Sequence, residues 1–389
     1  MVRIVGAYEQ NSTAGETVNA FVPAPLPPSN PPLIMDAELS SLLQRAAAAV
    51  ARLNLAGTMV PSLDWLLYSF VRKEAVVSSQ IEGTQATLVD LLMYEASGKA
   101  DTVDDADVKQ VCNYIDALNY ARKQMRSKNG LPLSMRLLNE AHRRLMKNVP
   151  GGHQSPGEIR RSQNWIGGTR PGNAAYVPPP PNRLGNLLGS FEKYIHENDA
   201  LPPLIRAGLL HVQFETIHPY LDGNGRIGRL LITLLLEHWD LLDAPLLYLS
   251  LYFKRHRAEY YRRLNSVRTD GDFEGWLKHF LEGVAVIADE TVETSQKLCA
   301  LTSADRAKVL SLRATSMAGI RLFELLPAYP IITVAKAVKL LKTTKPTATK
   351  AVFGLVEVGI LVETTGRRRD RAYSYEAYLN LLRSGTESK

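Results

Sequence analysis

Twelve consecutive residues constrain this chain more than any other stretch: His218-Pro219-Tyr220-Leu221-Asp222-Gly223-Asn224-Gly225-Arg226-Ile227-Gly228-Arg229. An imidazole, one carboxylate, a glycine-flanked turn and two guanidinium groups stand in a row, and the apolar run 230–239 follows at once. Gly223 and Gly225 tolerate positive φ, so the turn Gly223-Asn224-Gly225 can aim its backbone N–H groups at an anion. A helix that begins there adds the positive end of its dipole. Arg226 and Arg229, three apart, project from one face of the first turn towards the same anion. Asp222 is the single carboxylate of the loop. Beside phosphates, Mg²⁺ is held by one or two carboxylates, with water and phosphate oxygens completing the shell. His218 has an ordinary pKa near ~6.5, suited to accepting a proton from a hydroxyl at neutral pH.

Helical periodicity surrounds this loop and predicts a mainly α chain. Helices are expected over 37–53, 62–74, 88–94, 105–127, 134–145, 186–196, 203–217, 226–239, 256–267 and 272–298. Short connections between them imply antiparallel neighbours in a helical bundle. The segment 159–181 breaks the pattern with Gly167-Gly168, Pro171-Gly172 and four prolines, and reads as a β-hairpin flap. Residues 1–34, rich in Pro, Asn, Ser and Thr, are expected to be an irregular arm. The domain boundaries that follow are 35–128, 129–300 and 304–389.

The last unit reads as helix, turn, helix and hairpin, similar to a winged helix, with 347–358 as recognition helix and an arginine-tipped wing at 364–371. From residue 304 to 389 there are 15 Lys/Arg against 7 Asp/Glu, a net +8, while the whole chain carries +7. The basic excess therefore belongs to this segment, and a polyanion partner such as DNA is expected there or nowhere. Two cysteines, Cys112 and Cys299, make no metal spacing or disulfide framework, as in a reducing cytosol. No apolar run reaches the ~18–20 residues of a membrane span. A cytoplasmic protein is expected.

The twelve-residue stretch resembles the signature of the Fic (filamentation induced by cAMP) family, HPFx[D/E]GNGRxxR, with Tyr220 in place of the usual Phe. The resemblance covers about residues 35–300. It implies an AMP transferase that takes ATP and Mg²⁺, modifies a Ser, Thr or Tyr hydroxyl of a protein, and releases pyrophosphate. His218 would then be the general base and Asp222 the metal ligand. Gly223, Asn224, Gly225, Arg226, Ile227, Gly228 and Arg229 would hold the phosphates. Ile166 and Gly167 of the flap 159–181 would line the nucleotide, and the flap would dock the protein target by β-augmentation. Tyr260 and Tyr261 resemble the aromatic pair beside adenine in relatives.

Ser78-Ser79-Gln80-Ile81-Glu82-Gly83 fits the family's inhibitory pattern [S/T]xxxE[G/N]. Ser78 and Glu82 share a helix face, and the resemblance sets Glu82 against Arg229, where the γ-phosphate would lie. Self-modification and a homodimer are also implied by the family. Two alternatives stay open: AMP removal or another nucleotidyl transfer at the same site, and a DNA-binding regulator acting through 304–389.

Overall fold

The computed structural model describes residues 3–59, 62–98, 103–149, 155–311 and 316–387. A hairpin leads, β1 (Gly6–Thr13) and β2 (Glu16–Pro23), followed by α1 (Ala37–Met59), α2 (Leu63–Ile81), α3 (Leu88–Ser97), α4 (Asp105–Arg126) and α5 (Met135–Leu145). Beyond the flap come α6 (Pro181–His196), α7 (Pro203–Ile217), α8 (Asn224–His238), α9 (Ser250–Arg255), α10 (Arg257–Asp270) and α11 (Phe273–Ser311). The C-terminal elements are α12 (Met317–Leu325), β3 (Ile331–Thr333), α13 (Val334–Leu341), α14 (Lys345–Glu357), β4 (Val362–Glu363), β5 (Ala372–Ser374) and α15 (Glu376–Leu382). The protein is mainly helical, as its periodicity predicts.

Local chemistry explains several boundaries. Ser134 caps α5 by accepting from Leu137 N–H, and Thr87 with Asp90 forms a capping box on α3. Prolines open α6 and α7, where a first-turn N–H has no intrahelical acceptor. Pro181, placed by the sequence at the end of the flap, thus starts α6, five residues before the helix start expected at 186. The helix α2 runs seven residues past its expected end at Glu74, to Ile81.

Residues 6–23, expected to lie in an irregular arm, form a hairpin. β1 and β2 pair antiparallel from Gly6 with Pro23 to Thr13 with Glu16. Their turn, Ala14 at φ 49° and Gly15 at φ 79°, has the positive φ values that a two-residue hairpin requires. Val18 and Ala20 of β2 are buried with Val177 and Ala174 of the flap. The arm is also tied at its start: Arg3 makes two 2.7 Å bonds to Glu274 and one of 2.8 Å to Gly271 O.

The chain divides into two compact units, one of Met1–Ala51, Asn113–Asp243 and Tyr252–Val286, the other of Arg52–Cys112, Ala244–Leu251 and Ile287–Lys389. The boundaries expected from the sequence run sequentially, at 35–128, 129–300 and 304–389. The C-terminal segment does not stand alone within the second unit. Gln80 donates to Thr386 O at 2.9 Å, Lys336 donates to Glu95 O at 3.3 Å, and Tyr378 OH lies 3.4 Å from Ser69 Oγ. Its small sheet has the order β3-β5-β4, all antiparallel.

In the first unit α7 is buried from Leu204 to Ile217 and packs along α8. Such a helix must satisfy its polar groups internally. Arg206 donates to Tyr194 O at 2.6 Å, and Gln213 donates to Ala24 O at 3.0 Å.

Candidate active site

His218 is the C-cap of α7 and adopts the left-handed conformation, φ 49°, with its N–H on Phe214 O. The chain then turns through Pro219 to Asp222 and enters α8 at Gly223, φ 77°. A glycine N-cap leaves no side chain over the first-turn N–H groups of α8, which is what an anion cradle needs. Asp222 is 46% exposed, and its Oδ1 accepts from Gly223 N–H at 2.6 Å. Arg226 Nη2 lies 3.8 Å from the same carboxylate and 3.5 Å from Met146 Sδ. Arg226 and Arg229 are both almost wholly buried. Arg226 and Asp222 are thus neighbours at the start of α8, and His218 stands at the end of α7.

Three motif residues have side chains engaged within the fold. Asn224 bonds its amide back to the loop. Its Oδ1 accepts from Tyr220 N–H and its Nδ2 donates to Tyr220 O, both at 2.8 Å, so the amide ties the loop across itself. Ile227 has a fully buried side chain and is core. Gly228 lies against α7: a Cβ there would fall inside the Glu215 carboxylate. Its carbonyl accepts from His211 Nδ1 at 3.0 Å.

Tyr260, likened with Tyr261 to the aromatic pair beside adenine, has its side chain buried in the core. Its hydroxyl donates to His211 Nε2 at 2.9 Å, and its ring stacks on Phe253 at 4.4 Å. Tyr261 is exposed, with the Arg257 guanidinium 5.7 Å above its ring. The reason for the split is helical phase: adjacent residues of α10 point about 100° apart.

Two residues that sequence reasoning passed over hold the loop. His142 of α5 stacks on Tyr220 with centroids 3.9 Å apart and planes 6° from parallel. Its Nδ1 accepts from Gly157 N–H at 2.8 Å and its Nε2 donates to Asp222 O at 2.9 Å, which settles the tautomer. Burial pushes this imidazole down to about 4. Arg160 is buried and faces carbonyls: His218 O at 2.9 Å, Pro179 O at 2.5 Å and Ile217 O at 3.5 Å. Its guanidinium gathers the negative end of α7 and joins it to the flap. Burial lowers its pKa to about 10. An arginine in a flap carries no local signal of such a role.

The flap is shorter than the hairpin expected over 159–181. Ile166 and Tyr176 form one antiparallel bridge, with N–H···O bonds of 2.8 and 3.1 Å, around a 3₁₀ turn at Pro171–Asn173. Gly167 and Gly168 both have positive φ. Tyr176 OH donates to Thr216 O at 2.7 Å, two residues before His218.

In the second unit Ser78 is buried in α2, and Glu82 is its exposed C-cap, φ −86° and ψ 0°. Gly83 follows at φ 109°, a conformation suited to glycine. Among the described residues no group of three His, Cys, Asp or Glu could hold a metal ion. A cation at Asp222 would rest on that single carboxylate with phosphate oxygens and water, a set that suits Mg²⁺ and not a site built from protein alone.

Residues 40–123 match the model of the Fic/DOC family N-terminal segment, and residues 132–236 match the Fic/DOC family model. Over these two segments the chain is similar to the Fic/DOC family. It is 31% identical over 182 residues to the protein adenylyltransferase Fic of Aedes aegypti, covering 46% of this chain and 32% of that protein. The chain thus spans about a third of the length of that curated relative. A Fic family protein from Desulfovibrio desulfuricans G20 shares the fold with a TM-score of 0.58 at 19% identity, over 88% of this chain and 97% of the other. Fic-1 (residues 134–508) from C. elegans superposes with a TM-score of 0.51 at 20% identity, over 69% of this chain and 74% of the other.

Proposed function

We propose that this chain is a protein adenylyltransferase, moving AMP from ATP to a Ser, Thr or Tyr hydroxyl. The observation that carries the reading is the joining of α7 to α8: a histidine in left-handed conformation at one helix end faces a glycine-capped N-terminus flanked by Arg226 and Arg229. The acceptor oxygen attacks the α-phosphorus, its proton passes to His218, the bond to the bridging oxygen breaks, and pyrophosphate leaves. The α8 amides and the arginines hold the triphosphate in line, so catalysis rests on positioning and charge stabilisation. Asp222 would hold Mg²⁺, which neutralises phosphate charge when bound. The two cysteines are free thiols, in keeping with a cytoplasmic setting, and among the described residues no helix is long and apolar enough to cross a membrane.

Glu82 is the proposed brake, acting on Arg229 in place of the γ-phosphate. With α-labelled ATP, Glu82→Gly is expected to raise incorporated label at least about tenfold, a barrier change of about 1.4 kcal/mol, and His218→Ala to abolish it. Equal labelling by wild type and Glu82→Gly would remove the brake. Release of AMP from a pre-modified protein by the wild-type chain would shift the reading to AMP removal.

A second reading, DNA binding, concerns the C-terminal segment alone. Lys345 and Lys350 of α14 and Arg367, Arg368, Arg369 and Arg371 of the β4–β5 connection are exposed. Acidic groups of the same segment are engaged elsewhere: Glu324 by Arg306, Asp305 by Lys308, and Glu363 by Thr365 and Gly366 N–H. The full chain is expected to shift a 20-base-pair duplex in low salt, with affinity falling steeply as salt rises. Replacing Arg367, Arg368 and Arg369 by Ala should abolish the shift; no shift at low salt would leave the segment a protein-docking module.

A further inference from the structure

The hairpin β1–β2 lies against the flap, and its contacts decide which flap edge is open. In an antiparallel pair, residues that exchange both backbone bonds alternate with residues whose N–H and C=O point outward. Ile166 and Tyr176 exchange both bonds, so Val177 on one strand and Trp165 on the other point away. The Val177 carbonyl is taken: Phe21 N–H of β2 donates to it at 2.9 Å. Trp165 N–H and C=O make no hydrogen bond among the described residues, and the Trp165 side chain is 37% exposed.

Side chains pin the same contact along its length. Glu16 Oε2 accepts from Gly172 N–H at 2.8 Å and from Arg170 at 2.9 Å. Asn11 donates to Gln163 at 3.0 Å. Phe21 packs on Tyr8 at 5.2 Å and on Tyr176 at 6.5 Å, and Tyr176 reaches Thr216 O. A continuous set of contacts therefore runs from the N-terminal hairpin through the flap to the helix end that carries His218.

We propose that the β1–β2 hairpin is a fixed buttress that occupies the Val177 edge of the flap and commits an extended acceptor polypeptide to the Trp165 edge. The proposal rests on the adenylyl-transfer reading for the acceptor, and on the contacts above for the buttress. Asn11, Glu16 and Phe21 are positioning residues: they set the acceptor arm and leave the triphosphate cradle alone. A single bridge is too little structure to hold a flap by itself, since even a complete two-stranded hairpin is marginal in water.

The test uses the full chain with Asn11 and Glu16 both replaced by Ala. Amide exchange at Ile166 and Tyr176 is expected to accelerate at least tenfold, while affinity for a non-hydrolysable ATP analogue stays within twofold. AMP transfer to a mixture of extended peptides carrying Ser, Thr or Tyr should show a raised KM for peptide at little-changed kcat. Gly172→Ala, whose Cβ would fall inside the Glu16 carboxylate, should accelerate the same two amides. Trp165→Pro, which removes the outward N–H, should abolish peptide transfer without weakening binding of the ATP analogue. Unchanged exchange in the Asn11/Glu16 variant overturns the buttress, and unchanged peptide KM in both it and Trp165→Pro overturns the edge assignment. If the full chain carrying Glu82→Gly transfers no AMP to any acceptor, the adenylyl-transfer reading fails, while the exchange result still decides the buttress.

Discussion

Two neutral imidazoles stand behind the loop. His142 donates to Asp222 O, and His211 joins Gly228 O to the Tyr260 hydroxyl. Burial pushes them down to about 4 and about 3 from an ordinary 6.5. A histidine whose folded pKa is depressed stays neutral in the fold while the unfolded chain takes up a proton. Stability from these two groups is therefore complete above about pH 6.5 and is lost as the pH falls from there towards 4. Urea midpoints are expected to drop between pH 7 and pH 5. His142→Asn should flatten that slope by up to about 1.4 kcal/mol per pH unit, one proton's worth. A wild-type midpoint that does not move across this range would show that neither imidazole is held neutral. His142 was not legible as a loop brace, because its partners are backbone atoms fifteen and eighty residues away.

At the level of elements, the pairing of α7 with α8 sets the candidate site, and its closeness depends on glycine. Gly228 meets the carboxylate of the buried Glu215 of α7, where a Cβ would lie 2.1 Å from Oε1. Gly228→Ala should cost about 1–3 kcal/mol, the range for overpacking a filled interior. Urea unfolding of the purified variant measures it, and a loss under about 0.5 kcal/mol, the scale of a neutral surface change, would mean that the helices move apart freely. Helix existence was largely legible, since α7 and α8 carry sustained apolar patterns and their junction carries the glycines. The N-terminal hairpin was not, because its turn is Ala14-Gly15 and not one of the strong Asn-Gly or Asp-Gly signals. Its strands are stabilised by packing on Val177 and Ala174, partners more than 150 residues away.

Across the whole molecule, the local order of chemical groups and the assembly of units have different sources. The residues His218 to Arg229 by themselves determined an imidazole at one helix end, a glycine-capped start to the next helix and a carboxylate between them. Those properties follow from spacing, glycine φ freedom and helix geometry, all local to twelve residues. Only the tertiary structure decided that Asn224 braces the loop, that Tyr260 and Ile227 are core, that Arg160 holds the end of α7, and that β2 covers one flap edge. Likewise it grouped residues 287–389 with 52–112, where the sequence suggested a separate C-terminal domain. The physical reason is the same in each case. A side chain's role depends on which distant backbone atoms and surfaces meet it, and that choice is made by packing rather than by its neighbours in sequence.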